Sequence, residues 1–240
     1  MAHFILNFEP IKLSIRLMSY NRQQPDWPHF QYNLQALEDA LFQFAEQAGY
    51  VSGLLEAMPE GTQTEALIDL MVAEAIKTSE IEGEYLSRQD VVSSIRNHLG
   101  LSPTPEPVRD RMAGGAGELM VDVRRTYEEE LTEEKLFAWH QMLLSGNIKI
   151  NTGTWRTNEA PMQVVSGAIG RETIHFEAPP SSRVPGEMKA FLRWFNETAP
   201  GGREELKKAP VRAARSLLRF YTGSTRPMGS KKGQQNHIPA

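Results

Sequence analysis

Thr78 and Glu82 stand four residues apart, and Gly83 follows at once. On a helix that spacing puts a hydroxyl and a carboxylate on one face, one turn apart. They close a stripe that starts with Leu67, Met71 and Ala75, so an apolar seam ends in two polar groups. Gly83 is the residue type with which helices leave in the left-handed conformation. A helix C-terminus carries partial negative charge, so a carboxylate there costs between a few tenths and about 1 kcal/mol. Glu82 is therefore read as answering something outside its own helix, the alternative being a solvated carboxylate in a fraying last turn. The remaining chemistry-bearing residues are scattered. The six histidines (His3, His29, His98, His140, His175, His237) show no ligand spacing, and there is no cysteine. No metal site is expected.

The elements that must position Glu82 are mostly helices. Leu34, Leu37, Leu41, Phe44, Ala48, Val51 and Leu55 recur at three or four residues and predict a long helix to about Met58. Pro59-Glu-Gly-Thr breaks it, and the helix bearing Glu82 follows from about Gln63. Ser87-x-x-Asp90 resembles a capping arrangement and opens a third helix through Val91, Ile95 and Leu99, stopped by Gly100. Ser102-Pro-Thr-Pro-Glu-Pro107 reads as an inter-domain linker. Beyond it a helix through Val108, Met112, Ala116, Leu119 and Val123 is weakened by three glycines, and Thr132 caps another over Glu133–Leu144. His140 on the apolar side of that helix reads as a satisfied core histidine. Trp27 and Phe30 read as core aromatics at a helix entry.

From Ile148 to Pro180 the helical period disappears. Met162–Ser166 and Arg171–Phe176, joined by Gly167-Ala-Ile-Gly170, predict a β-hairpin. A two-stranded hairpin is marginal alone, and its open edge can take up an extended peptide. Met188, Phe191, Leu192 and Phe195 mark a further helix ending near Pro200, and a last one is predicted over about Glu204 to Phe220.

The 240 residues can bury a real core. A hydrophobic fraction of 40% with 23% charged residues is that of a soluble globular protein. No apolar run approaches the roughly 20 residues of a membrane helix, no secretory signal is visible, and a cytoplasmic location is the expectation. Charge is uneven: the net −4 divides into −12 for residues 1–206 and +8 for the last 34. From Lys207 onward eight residues are basic and none is acidic. Such an imbalance can mark a tail that docks on nucleic acid or an acidic partner. The tail lacks interleaved aromatics beyond Phe220 and Tyr221, so nucleic acid is disfavoured as a partner.

Four stretches in order carry a resemblance. Thr78-x-x-x-Glu82-Gly83 resembles the inhibitory motif of Fic-family proteins, and Gln24-Pro-Asp-Trp-Pro-His-Phe30 the start of the N-terminal domain that precedes many bacterial Fic domains. Gly153-Thr-Trp-Arg-Thr157, and Pro161-Met-Gln-Val-Val-Ser-Gly167 through Ile174-His-Phe-Glu-Ala-Pro-Pro180, resemble the first half of the Fic domain. The similarity runs from about Met18 to about Ala213.

It implies a mostly helical, Fic-like bundle with a small hairpin flap, preceded by an N-terminal helical domain. The expected divisions are a leader at 1–17, the N-terminal domain at 18–101, a partial Fic domain at 108–222 and a basic tail unlike the family at 223–240. The resemblance further implies AMP transfer from ATP to a target-protein hydroxyl, with Mg²⁺, and makes Thr78, Glu82 and Gly83 an inhibitory site. Met162, Val164, Val165, Ile174, His175 and Phe176 become the flap that docks a segment of the target. A homo-oligomer is left open.

The family's active loop, His-x-Phe-x-Asp/Glu-Gly-Asn-Gly-Arg-x-x-Arg, is absent. After Glu205 there is no acid, and no histidine stands between 206 and 236. No residue is assigned a catalytic or metal-binding role, and ATP and Mg²⁺ are not expected to bind productively. The chain is read as a truncated Fic-type adenylyltransferase whose coding sequence leaves its ancestral frame shortly after Ala213. The other reading is a non-enzymatic helical binding module with a docking basic tail.

Overall fold

A computed structural model describes residues 25, 27–29, 31–144, 150–159, 162–168, 171 and 173–224, with the backbone alone for 221–224. The expected leader 1–17, Phe30, part of the hairpin turn and nearly all of the tail lie outside the described residues. The described chain is mostly helical with one small antiparallel sheet: α1 (Glu38–Glu56), α2 (Glu60–Ile81), α3 (Arg88–Leu99), α4 (Arg111–Thr126), α5 (Glu133–Leu144), β1 (Gln163–Ser166), β2 (Thr173–Glu177), α6 (Val184–Glu197) and α7 (Ala209–Ser224). Among these, no helix is long and apolar enough to cross a membrane.

Two apolar clusters hold the helices. The first joins Ile68, Met71, Val72 and Ala75 of α2 to Val91 and Ile95 of α3 and to Ala113, Ala116 and Val121 of α4. Val72, Val91 and Ile95 are wholly inaccessible, and each burial is worth about 1.5–3 kcal/mol. This cluster crosses the proline segment, which is fastened down. Ser93 Oγ donates to Glu106 Oε2 at 2.6 Å, and Asn97 exchanges two 2.8 Å bonds with the Glu106 backbone. The second cluster packs Val184, Met188 and Phe191 of α6 against Leu131, with Trp139, Trp155, Trp194, Phe195 and Phe220 around them.

The α3 and α4 N-termini cap each other. Ser87 Oγ accepts the Asp90 amide at 3.3 Å, as the Ser87-x-x-Asp90 spacing predicts. The Asp90 carboxylate, however, accepts from Asp110 N–H at 2.8 Å, while Asp110 accepts from Ser87 N–H and from the first amides of α4. The glycines of α4 have a packing cause. A Cβ on Gly117 would stand 2.7 Å from Ser94 Cβ, and one on Gly115 1.9 Å from the Met142 carbonyl oxygen. They let α4 lie close against both α3 and α5.

The apolar stripe of α1 forms a helix as predicted, and no residue of α1 is buried. The described part of the basic run is engaged. Arg212 lies over the Phe195 ring at 4.1 Å and Arg219 over Trp194 at 4.2 Å, and Arg219 Nη2 donates to Pro28 O at 2.9 Å. Helix α7 also starts later than predicted, with Pro210 in its first turn, where a missing N–H costs nothing.

Candidate functional site

The end of α2 is built by its backbone. Gly83 N–H reaches Glu80 O at 3.0 Å and Glu84 N–H reaches Ser79 O at 2.9 Å, while Gly83 adopts φ +85°. This pair of bonds around a left-handed glycine satisfies carbonyls that the helix would otherwise leave open. Glu82 is thereby fixed as the last residue before the turn, with an exposed side chain. Thr78 lies one turn back and is also exposed; its hydroxyl donates to Glu74 Oε1 at 3.2 Å. Lys77 pairs with Glu80 at 2.7 Å on the same turn. Thr78 and Glu82 are linked through the backbone, Glu82 N–H to Thr78 O at 3.3 Å.

The hairpin pairs Gln163 with Glu177, Val164 with Phe176, Val165 with Ile174 and Ser166 with Thr173. An irregularity between Val164 and Val165 breaks the simple alternation. His175 Nε2 lies 2.5 Å from Ser166 Oγ across the strands. Met162 and Ile174 are exposed, at 42% and 50%, whereas Phe176 is half-buried. Among the described residues the sheet has only these two strands.

The base of the hairpin is tied to a loop whose role sequence reasoning missed. Arg156 Nη2 donates to the Pro179 carbonyl just past β2, and Trp155 meets the edge of Phe137 at 4.7 Å. Gly153-Thr-Trp-Arg was visible as a motif, but nothing local reveals that its arginine reaches residue 179. Burial pushes the Arg156 guanidinium below its ordinary pKa. Arg219 is pushed further, down to about 10, by desolvation and then by the neighbouring Arg215. It stays a cation at neutral pH.

His140 is held by the same loop: its Nδ1 accepts Gly153 N–H at 3.0 Å. Accepting that bond requires an unprotonated Nδ1, and burial lowers the His140 pKa below 6.5. A base with a depressed folded pKa binds its proton more readily when unfolded. Stability is therefore present above 6.5 and lost as pH falls through and below that value. The urea midpoint should drop between neutral and mildly acidic pH by less in His140→Asn than in the unsubstituted protein. Equal drops would show that His140 does not contribute.

Among the described residues, no three His, Asp or Glu side chains converge as a metal site. The family comparison falls on the first part of this arrangement. Residues 20–101 match a domain of unknown function, DUF4172. No curated protein matches the chain. The DUF4172 segment takes in α1, α2 and α3, with Thr78, Glu82 and Gly83, and ends as the proline segment begins. The hairpin and the Arg156 loop lie beyond it.

Proposed function

We propose that this chain is the regulatory and target-docking part of a Fic-type protein adenylyltransferase, acting in the cytoplasm, and that it does not itself transfer AMP. What carries the reading is the end of α2: Thr78 and Glu82 at inhibitory spacing, closed by a left-handed Gly83, inside a DUF4172 segment. That family is a Fic-related N-terminal domain. The hairpin adds support, since the edge of a two-stranded sheet can take up an extended target segment. In this reading Glu82 serves as the carboxylate that would pair a phosphate-binding arginine of a complete active loop.

In this reading ATP with Mg²⁺ is not bound productively. Phosphate-bound magnesium needs a carboxylate, and a target hydroxyl needs a base. Past α6 the chain offers neither between 206 and 236. Of the eight basic residues behind the docking-tail alternative, Arg212 and Arg219 are engaged on α6.

Incubation of the purified chain with labelled ATP and Mg²⁺ or Mn²⁺ should label neither the chain nor added protein. Glu82→Gly should leave that result unchanged. Metal-dependent labelling by the unsubstituted chain would refute the proposal.

A further inference from the structure

We propose that α1 is a dimerisation helix, its apolar seam covered by α1 of a second copy running antiparallel. Beginning at Leu34, the apolar positions are spaced alternately by three and four residues as far as Met58. That is the a/d repeat of a coiled coil, sustained over three heptads. A surface helix normally turns such a seam onto its own core. Here Leu34, Phe44 and Val51 remain 43%, 53% and 44% exposed.

Charge and shape together favour a second copy as the occupant. Helix α1 contains no Lys or Arg, and of its acids only Glu38 flanks the seam; Asp39, Glu46 and Glu56 fall on the outer positions. The other flanking positions are Ala40, Ala45, Gln47, Ser52 and Leu54. Two such helices meet without like charges opposed, and nothing on the flanks selects a charged foreign helix. An antiparallel register centred on residue 46 sets Phe44 against Ala48 of the second copy, Leu41 against Val51 and Leu37 against Leu55. Every a position then meets a d position, and the largest side chain meets the smallest. A groove of about 490 Å³, walled by Leu34, Gln35, Glu38, Leu41 and Lys208, opens at the N-terminal end of the seam. That is where this register brings Met58 of the second copy.

The chain has no cysteine, so introduced thiols report alone. The full chain should sediment as a dimer in the micromolar range. Leu41→Cys with Val51→Cys should form a covalent dimer on mild oxidation, and neither single variant should. In an antiparallel pair, two copies of residue 41 sit about 15 Å apart, beyond disulfide reach. Phe44→Glu should weaken association at least about tenfold with helicity by circular dichroism unchanged, because Phe44 is not buried. A monomer at high micromolar concentration would overturn the proposal. So would cross-linking by a single variant, no cross-linking by the pair, or undiminished association of Phe44→Glu.

Discussion

Gly115→Ala should cost the protein about 3 kcal/mol or more of stability. The added methyl would lie 1.9 Å from the Met142 carbonyl oxygen and 2.7 Å from its carbon. Both are backbone atoms of α5, so no side chain can rotate away, and α4 must separate from α5. Against this stands the helix preference for alanine over glycine, about 1 kcal/mol. The clash wins because the packing term is larger and cannot be relieved locally. Gly114→Ala is the internal control: its Cβ would meet only the Val108 side chain, at 3.2 Å. There the helix preference largely offsets the contact, so the change should be close to neutral. Urea unfolding of the two variants decides the matter, and a Gly115→Ala protein as stable as the parent would show that α4 and α5 are not in close contact.

Ending the chain after Ala214 should cost about 4 kcal/mol, from one aromatic and one charged hydrogen bond donor lost together. Phe220 stands edge-on to Phe191 at 5.6 Å, and Arg219 joins the Trp194 ring to the Pro28 carbonyl. Packing continues past Ala213. Helix α7 runs on to Ser224, and Arg215 also lies over Trp194, at 5.8 Å. Arg219→Lys should recover little, because an ammonium lacks the flat face that stacks on indole. An unchanged unfolding midpoint in the truncated chain would mean that residues 215–224 are carried without being used.

Local features were legible in the sequence because their causes are local. Gly83 and Gly100 both end helices with positive φ, and Ser87 and Thr132 both cap. Features whose cause lies in another element were not. Asp110 shows no capping pattern of its own with Ser87, since its partner is 23 residues away. The α4 glycines read as weakness because their benefit belongs to α3 and α5. Periodicity located the apolar face of α1 without saying what would cover it. The arginines of α7 were counted as charge, although their flat guanidinium faces and aliphatic stems are what α6 uses. At the candidate site, spacing was enough to set Thr78 and Glu82 one turn apart. The Arg156 tie to Pro179 needed the folded chain.

The bond from Arg219 to Pro28 spans 191 residues, and that separation bears on the order in which the chain can fold. Closing so long a loop is entropically costly before other contacts have shortened it. The α2–α3–α4 cluster is assembled from neighbours in sequence and can form early, as low-separation contacts do. On a ribosome that cluster has all its residues once α4 has emerged, while the Pro28 carbonyl waits for its bond from Arg219 until α7 has been made. The entry to the first helix is thus the last part of the N-terminal region to be secured, by one of the last described residues to be synthesised.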